Sequence, residues 1–317
     1  MLYPISEPIP NSVEDRFGHI DDRGGVVIRP SYVACSHFFE GKAAVINEIK
    51  KVGCINTRGK LVIPHQFDTV GRFHAGFCPA NGGYIDHLGH WLIQPAFLIN
   101  SSFLEGRAVA STDGENLGFI DFTGSFVVPP RFNRCSGFSE GLAAVCMDDR
   151  WGFIDRAGKL EIPTVFEGPT PKCFRDGIAG VRIDDSWGFI DRSGSFLIKP
   201  EYEKIRHFSE GHACVRRNGK WGMIDTNGQQ VLECQFDELE PLNIGMSSAK
   251  IDGKAGFLSA KGKWLIEPKF DLCLSFFRGL AVVKQGKTYS YIQRDGQILW
   301  TSQPLASIQY PPPPLSV

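Results

Sequence analysis

One pattern recurs along nearly the whole chain and constrains its fold more than any other feature. Trp151-Gly-Phe-Ile-Asp155 returns as Trp187-Gly-Phe-Ile-Asp191 and as Trp221-Gly-Met-Ile-Asp225. Its glycine falls at Gly18, Gly53, Gly83, Gly118, Gly152, Gly188, Gly222 and Gly256, with Ser290 in the slot of a ninth copy. The copies are 34 to 36 residues apart, except for one interval of 30 before Gly83. A second glycine follows the first by six residues in every copy, from Gly24 to Gly296. An aromatic comes eight residues later: Tyr32, Phe67, Phe97, Phe132, Phe166, Tyr202, Phe236 and Phe270. F-x-x-G follows, as in Phe138-Ser-Glu-Gly141, with Leu242 replacing Phe once, and a small residue such as Ala143 or Ala213 lies two further on. Fixed internal spacing at a period of this size is the mark of a tandem array.

The pattern translates into local structure. Ile-Asp followed by two residues and Gly reads as a hairpin turn, with Asp bonding the turn backbone and Gly at positive φ. The next segment is β-branched and apolar (Leu61-Val-Ile63, Phe196-Leu-Ile198) and reads as a strand that a proline ends: Pro30, Pro64, Pro95, Pro130, Pro163, Pro200 or Pro268. A third strand follows F-x-x-G, as in Ala213-Cys-Val215, and a polar turn such as Arg217-Asn-Gly-Lys220 leads to the next copy. No segment shows a helical period. The expectation is all-β, with three antiparallel strands per unit.

Adjacent positions on a strand point to opposite faces. Position +1 after the leading glycine is mostly aromatic or apolar (Tyr84, Phe119, Phe153, Phe189, Met223, Phe257), and +2 is Ile in every unit but one, where it is Leu258. Both faces are apolar, so a lone unit cannot cover itself and neighbours must bury it. Two assemblies satisfy that: an open superhelix of about eight units, or a β-propeller-like ring. Propeller blades normally need four strands and a longer period. Nine hairpins against eight third strands favour the open array, capped by the last hairpin. The domain reading is 1–16 as an N-terminal extension, 17–300 as the array with its C-terminal hairpin, and 301–317 as a Pro-rich tail containing Tyr310-Pro-Pro-Pro-Pro-Leu315, expected to be disordered.

The string W-G-F-I-D-x-x-G-K, then I-P or I-x-P, then F and F-x-E-G-x-A-x-V, resembles the tryptophan-glycine (WG) repeat family. The resemblance covers about Phe17 to Trp300, although Phe17, Val52, Gly82, Leu117, Ala255 and Tyr289 replace Trp in the other units. It implies a mostly bacterial β-repeat scaffold and transfers no catalytic residue.

Composition narrows the function. The chain has 34 basic and 35 acidic residues, net charge −1, and so lacks the basic field of a non-specific nucleic-acid binder. No apolar run is long enough for a membrane span, and the N-terminus lacks the basic and apolar regions of a secretory signal. Nine cysteines, an odd number, argue against a disulfide framework. A cytoplasmic location is expected.

The series Asp21, Asp86, Asp121, Asp155, Asp191 and Asp225 could form a calcium ladder. Asn56, Ser259 and Gln293 in the same slot favour turn capping instead. Glu40, Glu105, Glu140 and Glu210 of F-x-E-G occur one per unit, unlike a catalytic pair, and read as solvated or backbone-bonded acids. His19, His37, His65, His74, His87 and His90 crowd the first units near Cys54 and Cys78, without paired zinc-ligand spacing. Cys35, Cys135 and Cys273 share a register position otherwise held by Val70 or Ile205, as small hydrophobes do. Gly286-Lys287-Thr288 lacks the first glycine of a phosphate loop, since Ala281 stands there, and the basic Val215–Lys220 string matches an inter-unit turn. The expectation is a non-enzymatic scaffold binding a protein partner through its repeat surface. It has no cofactor, no metal site and no catalytic residue, and its binding residues are not located. A glycan- or cell-surface-binding module, and an enzyme or metal site in the His-rich first three repeats, are the alternatives.

Overall fold

The computed structural model describes residues 1–8 and 15–302. The strands among them form nine antiparallel sheets, seven of four strands and two of three. The fifth sheet shows the plan: Arg134–Cys135, Leu142–Met147, Arg150–Asp155 and Leu160–Phe166 hydrogen-bond in chain order. The expected count of three strands per unit is therefore corrected to four, because the connection before F-x-x-G carries a two-residue strand. The sheet also straddles the sequence repeat. The strand after F-x-x-G pairs with the WG strand of the next copy, Val145 opposite Gly152 and Cys146 opposite Trp151. Leu2–Pro8 plays that part in the first sheet, pairing with Asp15–Asp21. In the third sheet the short strand shrinks to a bridge between Val70 and Ala80. The 30-residue interval arises in the hairpin that follows, Cys78–Ala80 with Gly83–Ile85, where Gly83 follows Gly76 by seven residues against eleven or twelve in the other units.

Except in the third sheet, where Trp91–Ile93 stops before Pro95, the proline does not end its strand. Val26–Tyr32, Leu61–Phe67, Phe126–Phe132, Leu160–Phe166, Phe196–Tyr202 and Trp264–Phe270 each run through it to the repeat aromatic. The register explains this. Trp151 opposes Phe166 while Phe153 opposes Ile162, so two steps on one strand face four on the other, and Pro163 sits in the bulge. The bulge folds over the WG glycine. A Cβ on Gly152 would lie 2.5 Å from the Ile162 carbonyl oxygen, and on Gly18 2.3 Å from that of Ile28. Close backbone approach, rather than a turn, requires this glycine. The ninth copy tolerates Ser290 where its last strand, Ile298–Thr301, is short and ends without the repeat aromatic.

F-x-x-G is a two-residue turn with both central residues at positive φ: Glu140 at 53° and Gly141 at 80°, closed by the Ser139–Leu142 pair. Its Phe is buried in every unit that has one, from Phe38 to Phe276. It packs on the aromatic that follows the WG glycine of the same repeat: Phe174 on Phe153 at 5.0 Å, Phe208 on Phe189 at 4.8 Å, Phe276 on Phe257 at 4.7 Å. The core accordingly lies between sheets. One cluster joins Trp151, Phe153, Ile162 and Phe166 of the fifth sheet to Phe174, Val181 and Ile190 of the sixth. Another joins Phe189 and Ile198 to Phe208 and Val215. The apolar faces cover each other as the two-sided strands require.

The chain divides into two compact units, Met1–Pro130 with the residues from Leu299 on, and Arg131–Ile298. In the second, the turn glycines Gly194, Gly228, Gly262 and Gly296 rest on the outer strand of the preceding sheet. A Cβ on Gly194 would lie 2.9 Å from Ile162, on Gly228 3.2 Å from Ile198, on Gly262 2.8 Å from Leu232. In the first, Gly59 meets Ile28 and Gly89 meets Ile63 in the same way. Within that first unit the corresponding position of the first sheet, Gly24, rests on Leu299, whose carbonyl oxygen would be 2.6 Å from an added Cβ. The last strand thus supplies to the first turn the contact that a preceding sheet supplies elsewhere. An open superhelix leaves its first turn bare, so that expectation is corrected: Leu2–Pro8 and the short strands before F-x-x-G complete the sheets that nine hairpins and eight third strands leave short. The proline-rich tail from 303 on lies outside the described residues.

Candidate functional site

The residues singled out in the sequence mostly hold turns. Asp155 Oδ1 accepts the amide hydrogens of Ala157 and Lys159, both at 2.9 Å, and Asp225 does the same for Asn227 and Gln229. Asn56 makes equivalent bonds to Arg58 and Lys60, which is why it substitutes freely. The amides of Gly25 and Arg23 hold the Asp21 carboxyl below the usual carboxylate range. The acids of F-x-E-G bond backbone in the next repeat: Glu40 accepts from Gly76, Glu140 from Gly177, and Glu210 from Gly245, at 2.9–3.0 Å.

The histidines do not converge. His87 Nε2 lies 3.3 Å from Glu40 and its ring stacks on Phe73, whereas His90 Nδ1 faces Asp86. His19 is fully buried, with Nε2 3.0 Å from the Ser36 carbonyl, and burial pushes its pKa down to about 4. Among the described residues no three His, Cys, Asp or Glu side chains group as metal ligands. Burial pushes the Cys54, Cys135 and Cys273 thiols up to about 12, leaving no thiolate nucleophile at these positions. Gly286-Lys287-Thr288 is a hairpin turn, with the Gly286 amide on Asp271.

The feature with binding chemistry lies in the second unit. A cleft of about 510 Å³ opens along the sixth to eighth sheets, lined by Lys172, Trp187, Lys204, Arg206, His207, Trp221 and Glu240 among others. The repeat builds its floor, because the WG slot of successive sheets places Trp187 and Trp221 there, 6% and 9% exposed. Cations cover both rings: Lys172 Nζ is 5.4 Å from the Trp187 centroid and the Arg206 guanidinium is 5.0 Å from that of Trp221. Arg206 also donates through Nε to the Leu239 carbonyl at 3.0 Å and pairs with Glu240 at 2.6 Å. Burial, then the charges of Arg175, Lys172 and Arg206, push the His207 pKa down to about 4. Burial pushes Glu240 up, against the pull of Arg206. The walls offer fixed positive charge over an apolar floor, and no Ser, Thr or Cys among the lining residues to act as nucleophile.

No binding residue was legible in the sequence because the slot that carries these cations varies in residue type. Lys172 and Arg206 each lie two residues before the F-x-x-G phenylalanine, where other units have Ser36, Gly71, Ser101, Ser136, Glu240 or Leu274, and Arg134, which lies over Trp151, is four before it. A signal did exist in the three consecutive Trp-bearing units, where the cation over each ring, Arg134, Lys172 or Arg206, lies 15 to 17 residues before its Trp.

Seven stretches, 17–48, 53–81, 118–151, 151–186, 187–221, 221–254 and 256–289, match the family described as WG containing repeat. The chain belongs to that family. The stretch of the WG-repeat array left unmatched between 81 and 118 contains two of the three strands of the third sheet, Gly83–Ile85 and Trp91–Ile93. No curated protein matches the chain. Among solved structures, one titled "Crystal structure of the eukaryotic initiation factor" is 9% identical, covers 95% of each chain and has a TM-score of 0.65, a likeness of fold alone. The computationally designed Ika8 protein is 14% identical over 84% of this WG-repeat chain and 86% of its own, with a TM-score of 0.49. BamB from Moraxella catarrhalis is 11% identical over 84% and 94%, with a TM-score of 0.46.

Proposed function

We propose that this WG-repeat protein is a non-enzymatic scaffold of propeller-like four-stranded sheets that docks a protein partner in the cleft of the second unit. The observation that carries the reading is the pair of lysines, Lys172 and Lys204, over a Trp-built floor. Such paired charge and apolar surface suits protein recognition. A glycan-binding module needs exposed aromatic rows, but the repeat aromatics from Phe67 to Phe270 and the three WG tryptophans Trp151, Trp187 and Trp221 are buried. The nine cysteines, none in a disulfide, suit a reducing compartment, and we place the protein in the cytoplasm.

The test is co-purification with the intact chain against the Lys172→Glu/Lys204→Glu variant, followed by direct binding of the purified candidate. A protein retained by the parent, lost from the variant and bound directly supports the reading. Partners that bind both chains equally, or none, overturn it.

A further inference from the structure

We infer that the cleft takes an acidic peptide segment, whose carboxylates pair with Lys172 and Lys204; this rests on the protein-docking reading above. The cleft already holds one carboxylate. Glu240 lies 2.6 Å from Arg206, which also stacks on Trp221 and donates to the Leu239 carbonyl, so the arginine is engaged on three sides. The two lysines are different. Lys172 lies over Trp187, Lys204 is exposed, and neither has a carboxylate partner among the described residues. The lysines that immediately precede the WG slot are, by contrast, paired: Lys51 with Asp68, Lys220 with Asp237 and Lys254 with Asp271. The cleft therefore carries surplus positive charge beside a desolvating floor, the condition in which a carboxylate–ammonium pair gains most.

The volume of about 510 Å³, walled by Pro169 and Pro241, accommodates several side chains of an extended peptide. A single-stranded nucleic acid would need open aromatic faces for its bases. Here Lys172 and Arg206 already cover Trp187 and Trp221, and the whole chain carries a net charge of −1.

Fluorescence anisotropy with a labelled oligo-glutamate peptide on the full chain tests this, with oligo-lysine and oligouridylate as comparison probes. Oligo-glutamate alone binds, Lys204→Glu weakens it about ten-fold, and the Lys172→Glu/Lys204→Glu variant weakens it further. Glu240→Gln, which removes the resident negative charge, tightens it. Lys60→Glu, on the first unit, leaves it unchanged. Absent binding, equal binding by the double variant, equal loss in Lys60→Glu, or tighter binding of oligouridylate overturns the inference. If oligo-glutamate fails while a partner is still captured through Lys172 and Lys204, the acidic ligand is wrong and the scaffold reading stands.

Discussion

The carboxylate of Glu140 accepts the amide hydrogen of Gly177 at 3.0 Å, joining the F-x-E-G turn of one repeat to that of the next. Glu40 with Gly76 and Glu210 with Gly245 repeat the clasp, so an acid that occurs once per unit is an inter-repeat tie. Glu140 is about a third exposed, which limits its worth. Glu140→Ala is expected to lower stability by about 0.5–1 kcal/mol. Urea denaturation that shows no change would remove the clasp from the account.

Glycines in this chain serve two different needs, and alanine separates them. Gly177 has φ of 75° with open space where a Cβ would point, so Gly177→Ala costs about 1 kcal/mol of backbone strain. Gly152→Ala must instead displace the Ile162 backbone from 2.5 Å, and is expected to cost about 3 kcal/mol. Equal midpoints for the two variants in chemical denaturation would contradict the bulge-over-glycine geometry.

Ile244 occupies the positive-φ position that Glu140 and Glu210 hold elsewhere, at φ 52°, and is exposed. A β-branched residue is strained there, and Asn is not. Ile244→Asn should raise stability by roughly 1 kcal/mol. A lower thermal midpoint would show that the isoleucine side chain contributes a contact that outweighs its strain.

Stability should also fall in acid. His19 is neutral in the folded state, with its pKa pushed from 6.5 to about 4 by burial. Protons therefore bind the unfolded chain first, and the stability from this group, present above pH 6.5, is lost as pH falls toward 4. For His19 the linkage amounts to roughly 3 kcal/mol, and His207 adds to it in the same direction. Denaturation at neutral pH and near pH 4.5 should show the loss, smaller in His19→Gln. An identical loss in that variant would assign the acid sensitivity to other groups.

The array, its strand-rich unit and the turn-capping role of Asp155 and its equivalents could be read from residues alone. Each depends on chemistry within a few positions: an acid that bonds amides two and four residues on, a glycine at positive φ, an apolar pair on both faces of a strand. The cleft could not be read. Lys172, Arg206 and Glu240 come from three sheets at one repeat slot, two residues before Phe174, Phe208 and Leu242, but that slot holds Ser36, Gly71, Ser101, Ser136 or Leu274 elsewhere, so its chemistry is not part of the repeat.

The sequence by itself determined that neighbouring repeats share their interior, because Phe153 and Ile154 are apolar on opposite faces of one strand, and such a strand has no solvent side. Only the tertiary structure decided where the proline belongs and where the chain's end goes. A proline can end a strand or occupy a bulge, and the Ile162 carbonyl over Gly152 selects the bulge. The fate of the last strand depended on Leu299 reaching Gly24, a contact between residues 275 positions apart that no local pattern encodes.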